Sequence, residues 1–231
     1  MSISNFQYTA QFLLSIERTV SKERLKRYLA ATQQDTVKAL ELYEHNVALA
    51  EALYGYLHGL EVAIRNAIHH ALTRGYNTPY WYDQAPLSFY HQDKFIKQAK
   101  LDAGSNASAG KVIAELMFGF WTDLVSNSYH WSLWVPHLSQ AFPNATIPRK
   151  NVHKRLQTIR WLRNRIAHHE PILTSGNQIY AGHQQFITLA DLNECAEWIC
   201  LDTAGWLRTK FRYQQAGVIL TQVNATGLTL Y

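Results

Sequence analysis

The sequence predicts an all-α fold, and three observations carry that prediction. Val152, Leu156, Ile159, Leu162 and Ile166 recur at steps of three and four, the apolar stripe of an amphipathic helix. Leu53, Leu57, Leu60, Ile64, Ile68 and Leu72 repeat the pattern over a longer stretch, and Leu192, Ala196, Ile199, Ala204 and Leu207 over a third. No internal repeat, coiled-coil heptad or linker divides the 231 residues, so one domain with a substantial core is expected. Within it, residues 1–50 read as a helical extension, 51–213 as the core and 214–231 as a tail.

Taken in order, Gln7 to Thr32 reads as one or two helices, with Phe12, Leu13, Ile16, Val20, Leu25, Tyr28 and Leu29 as apolar contacts. Arg18, Lys22, Arg24, Lys26 and Arg27 are diluted there by Glu17 and Glu23, which suits a solvated face. Asp35 can cap a helix running through Leu40 and Leu42 toward Leu49. The long pattern follows; Gly55 or Gly59 is a place for it to break, and Gly75, Asn77 and Pro79 end it. Tyr80 to Tyr90 is aromatic, carries Pro86 and is expected to be irregular and packed on the core. A helix is expected over Ser88 to Leu101, and Asp102 to Gly110 is small and polar, a loop.

Lys111 after that loop superficially resembles a phosphate-binding arrangement. Five residues rather than four separate Gly104 from Gly110, and Val112 stands where a hydroxyl must meet magnesium, so an NTPase is excluded. Lys111 to Val125 reads as a further helix, and Ser126 to Pro148 as short helices and turns. Past Pro171 the chain turns through Ser175, Gly176 and Asn177. A last long helix is expected over Leu189 to Tyr213, and the residues after Gly217 alternate weakly, as a strand or a loose end would.

Charge is unevenly spread. The net charge is +5, and no acidic residue occurs between Asp123 and Glu170, where Arg149, Lys150, Lys154, Arg155, Arg160, Arg163 and Arg165 all fall. A helix this basic points to a polyanion partner. Cys195 and Cys200, if on one helix, would point about 140° apart, which argues against a disulfide. They make no metal-type pair, and the eleven histidines include no His-Glu-x-x-His, so no metal or other cofactor is expected. No Gly-x-Ser-x-Gly supports a serine hydrolase. No leader or membrane-spanning run is read, and the expected compartment is a reducing cytoplasm, bacterial or archaeal.

The basic helix ends at Arg160-Trp161-Leu162-Arg163-Asn164-Arg165-Ile166-Ala167-His168-His169-Glu170-Pro171, where Pro171 stops it. Leu162 to Ile172 resembles the signature of the Abi-like (abortive-infection) proteins, within the HEPN superfamily of all-helical domains marked by an arginine followed four to six residues later by a histidine. Leu60 to His69 and Gly110 to Trp121 are similar to further helices of that family, so the likeness spans most of Ser21 to Ile172. The resemblance implies a HEPN-type bundle and a metal-independent endoribonuclease used in antiphage defence or as a toxin. It implies catalytic Arg163, Asn164 and His168, with His169 ranked next. Some members of the superfamily bind RNA or a protein without cutting, and that is the alternative. The partners it implies are RNA, a second copy of the chain, and an antitoxin or structured RNA.

The chemistry is intelligible from the residues. RNA carries its own nucleophile, and a histidine near neutrality with a fixed cation suits phosphate transesterification. Lys150, Lys154, Arg155, Arg160 and Arg165 are the expected phosphate contacts. One difficulty is geometric. On an ideal helix with Ile159 at zero, Arg163 lies at about 40°, while Asn164, His168 and Trp161 lie at about 140°, 180° and 200°. The reach of the arginine, distortion of the helix end before Pro171, or a two-fold dimer in which each Arg163 meets the neighbouring His168 would resolve it, and an aromatic at Trp161 suggests that something covers that face. A second constellation, His58, Glu61, Arg65 and His69, forms a polar stripe with Asn66 beside it. It reads either as a surface Glu61–Arg65 ion pair or as the wall of a cleft beside the basic helix, with Arg65 on phosphate.

Overall fold

The computed structural model describes residues 7–87 and 92–231, so the expected start of a helix at Ser88 lies outside the described residues, as do Phe89 and Tyr90. The described chain is helical apart from one two-stranded hairpin. The helices are α1 (Ala10–Ile16), α2 (Lys22–Ala31), α3 (Thr36–Tyr76), α4 (Asp93–Ala103), α5 (Ala109–Ala114), α6 (Phe118–Leu124), α7 (Arg149–Ala167), α8 (Leu189–Ile199), α9 (Leu201–Lys210) and α10 (Tyr213–Thr226). The hairpin pairs β1 (Gln178–Gly182) with β2 (Gln185–Thr188) antiparallel.

α3 is the axis of the molecule. Asp35 caps it as its sequence position predicts, accepting a hydrogen bond from the Lys38 N–H at 3.1 Å. It then runs 41 residues without a break and closes on Asn77 in the left-handed conformation. Gly55 and Gly59 are sites of close approach instead of breaks. A Cβ at Gly55 would stand 2.9 Å from the Phe211 ring, and one at Gly59 would collide with Leu207. The proposed division near residue 50 falls inside α3, where Leu49 and Leu53 are both fully buried in one cluster. By length and composition α3 would suffice to cross a bilayer, contrary to the sequence expectation. Here its apolar residues Leu53, Leu60, Ile64, Ile68 and Leu72 line the core.

The last third differs most from its reading. Instead of one helix over Leu189 to Tyr213, the chain turns sharply at Cys200, whose backbone is extended, to give α8 and α9. Both cysteines are free. The tail is neither strand nor loose end: α10 lays Ala216, Ile219, Leu220 and Val223 against α3. Lys111 to Val125 is likewise two short helices, α5 and α6, parted at Glu115–Met117. Near the start, Leu25 and Tyr28 of α2 are buried, whereas α1 buries no residue.

α7 carries the basic motif. Val152, Leu156, Ile159 and Leu162 are at most 1% exposed, so the predicted stripe is its core face. α7 packs against α6, α3 and the hairpin. The hairpin turn, His183-Gln184, has both residues at positive φ, the type I′ geometry that matches strand twist. Asn-Gly usually fills such a turn, and His-Gln carries no such hairpin signal.

Candidate active site

α7 ends in a Schellman motif. His168 is the last half-helical residue, and its N–H donates to the Asn164 carbonyl at 2.9 Å. The N–H of His169 donates to the Ile166 carbonyl at 3.1 Å, and that of Glu170 to the Arg165 carbonyl at 2.8 Å. His169 takes the left-handed position that glycine ordinarily fills, with φ 57°. The apolar contact that usually joins the two flanks of this motif is replaced by the Arg165–Glu170 ion pair at 2.6 Å.

Arg165 is a brace. Besides Glu170 it donates to the Pro171 carbonyl at 2.8 and 3.1 Å and to the Tyr231 hydroxyl at 2.6 Å. Its guanidinium also lies over Tyr180, 4.7 Å from the ring centroid, and Tyr180 stacks on Tyr231. Arg165, expected as a phosphate contact, has its donors and its faces engaged within the fold. From the other side Arg24 of α2 donates to the His169 carbonyl at 2.5 Å, and Arg27 lies over Tyr231. Two of the residues read as a solvated face thus hold the motif. Below it, buried Asn46 accepts from the N–H groups of Ile172 and Leu173 at 2.7 and 3.3 Å, tying the segment after the helix to α3.

Arg163 faces the other way, into a groove between α3 and α7. Its Nε donates to Glu61 at 3.1 Å and its Nη1 to the Asn164 side-chain oxygen at 3.4 Å. Nη2 makes no hydrogen bond among the described residues. The groove encloses a pocket of about 130 Å³ formed by Tyr54, His58 and Glu61 from α3 and Arg163 from α7, over Leu57 and Ile166. The Glu61–Arg65 pair expected on one helix is replaced by this interhelical pair, while Arg65 donates to Asn66 at 3.3 Å. His69 leaves the polar stripe altogether. It is buried, its Nδ1 accepts from the Trp81 indole N–H at 3.0 Å, and burial first, then His70 and Arg65, lower its pKa. It is a core histidine.

His168 and Asn164 are exposed at the tip of α7, and among the described residues no hydrogen bond joins His168 to Arg163, whose pocket His168 does not line. The other basic residues divide. Arg155 pairs with Asp191 at 2.6 Å and Glu194 at 3.2 Å, and Arg160 pairs with Asp123 at 3.2 Å. These two, also expected as phosphate contacts, already meet acids of the chain itself. Lys150 and Lys154 are exposed and make no ion pair among the described residues. The cover over Trp161 is the chain's own hairpin, whose His183 ring lies 4.6 Å from the indole.

In the sequence His58 stands out only as part of a helical stripe, and Asn46, Tyr231 and His183 do not stand out at all. The helical spacing of His58 and Glu61 was the available signal for the groove. Nothing local marks the other three, whose partners lie far along the chain. No protein-family model, curated protein or solved structure matches this chain.

Proposed function

We propose that this chain is a HEPN-type, Abi-like endoribonuclease that cuts RNA without a metal by attack of the 2′-hydroxyl, in abortive infection or as a toxin. The observation that supports it best is the exposed end of α7, where Arg163, Asn164 and His168 occupy a helix terminus fixed by Arg165, Arg24 and Asn46. A catalytic constellation needs such a rigid support. His168 carries a proton, Arg163 holds the phosphate, and Asn164 orients the guanidinium it already touches. Lys150 and Lys154 meet the backbone of the RNA.

A homodimer belongs to this reading, because His168 neither hydrogen-bonds to Arg163 among the described residues nor lines its pocket. Mixing Arg163→Ala and His168→Ala chains should then restore some cleavage, and no recovery would argue for a site completed within one chain. The rival is a binding module for structured RNA or a partner protein, favoured by one observation: Glu61 already neutralises Arg163. Expressing wild type and His168→Ala side by side, with growth and total RNA followed, decides between them. The purified wild type should cut RNA in the presence of a chelator and leave DNA intact. An equally active His168→Ala chain would remove His168 from the mechanism.

A further inference from the structure

Cleavage by the 2′-hydroxyl moves two protons. As that oxygen attacks phosphorus its proton goes to one group. As the P–O5′ bond breaks, the leaving oxygen takes a proton from another, giving a 2′,3′-cyclic phosphate and a 5′-hydroxyl. A single His168 imidazole supplies at most one of these transfers. Resting on the ribonuclease reading above, we propose that His58 is the second proton-carrying group, and that the groove between α3 and α7 is the subsite for the reacting phosphate.

Four features place the phosphate there. Arg163 and His58 line the same pocket, which His168 does not. The open Nη2 of Arg163 provides a donor for a non-bridging oxygen. His58 is exposed and makes no hydrogen bond or ion pair among the described residues, so its imidazole is available. At about 130 Å³ the pocket is smaller than the roughly 300 Å³ of the smallest ordinary ligand sites, and it suits one phosphate rather than a whole nucleotide. Glu61 then acts as a positioning residue. Its carboxylate, engaged by Nε of Arg163 at 3.1 Å, turns the guanidinium so that its outer edge meets the phosphate. Tyr54, 63% exposed at the rim, offers a hydroxyl toward the same oxygens.

The charged and titratable groups around His58 are Tyr54 and Glu61 on its own helix and Arg163 across the groove. Glu51, two turns earlier, is taken by Arg212. The test is the pH dependence of cleavage of a short single-stranded RNA by wild type, His58→Ala, His58→Gln and Glu61→Gln chains. We expect His58→Ala to lower kcat about 100-fold or more, with KM little changed, and to lose one limb of the pH profile. Glu61→Gln should retain both limbs at a reduced rate. As His58 is exposed, its variants should melt with the wild type. Inorganic phosphate should shift the His58 imidazole resonances in the wild type and not in Arg163→Ala. A wild type that cuts RNA beside a His58→Ala chain with undiminished kcat and both limbs overturns the role of His58 alone. A wild type that cuts no RNA overturns the ribonuclease reading as well, and absence of the phosphate-induced shift overturns the subsite.

Discussion

On the groove side of α7, Arg163 commits one nitrogen to Glu61 and one to Asn164 and keeps Nη2 open. Two residues on, facing the hairpin, Arg165 gives its donors to Glu170, Pro171 and Tyr231 and its faces to two tyrosine rings. The two sides of one helix end therefore do different work. One is closed and sets the backbone of His168 to Pro171; the other is open and has a pocket in front of it. A basic residue in a basic sequence run is not evidence of a ligand until its acids have been looked for in three dimensions. Arg155 and Arg160 make the same point further up the helix.

The largest expected effect breaks this comparison if it fails. Arg165→Ala should cost about 2–4 kcal/mol, because it leaves partly buried acceptors and an acid without their partner. Arg163→Ala should cost at most about 1 kcal/mol, since its ion pair is solvent-screened, yet abolish cleavage. Urea unfolding of both variants beside the wild type checks this, and equal losses would erase the distinction between the two sides.

Next comes the salt dependence of RNA binding. If Lys150 and Lys154 are the free phosphate contacts, replacing both by Ala should reduce the slope of log affinity against log salt by about 1.4 for a single strand. Arg155→Ala should leave that slope unchanged while destabilising the fold. A slope unmoved by the lysine pair would place the RNA elsewhere.

A smaller effect concerns the cap. His169→Gly should be neutral or stabilise by up to about 1 kcal/mol, since glycine adopts the left-handed conformation without a Cβ penalty. If it instead lowers the melting point, the His169 ring makes a contact that matters more than the backbone strain. Cleavage by this variant at the wild-type rate would also remove His169 from the candidates.

The smallest effect is a pH slope. His69 and His153 both have pKa values lowered chiefly by burial, so the unfolded chain binds their protons more readily than the folded one. Their contribution is complete above the ordinary histidine value of 6.5 and is lost as pH falls through the lower folded values. For His69 the loss is also structural, because a proton on Nδ1 ends the bond from Trp81. Unfolding free energies between pH 7 and 5 should fall less steeply for His69→Gln than for the wild type. Parallel slopes would show that His69 does not couple folding to protons.

What the sequence determined by itself is what local rules govern. The all-α class, the core stripe of α7, the cap at Asp35 and the stop before Pro171 follow from helical periodicity, side-chain capping and the missing proline N–H, none of which needs a distant residue. The tertiary structure alone decided which charges stay free. Asp123, Glu61, Asp191 and Glu194 lie between 36 and 102 residues from the arginines they meet, so an acid-free run in the sequence became a largely neutralised helix in space. It also decided that Glu61 faces Arg163 and not Arg65, that His183 covers Trp161, and that the residues after Gly217 form a helix. In each case the apolar or charged surface of a distant element supplies the free energy, and a window of neighbouring residues does not contain it.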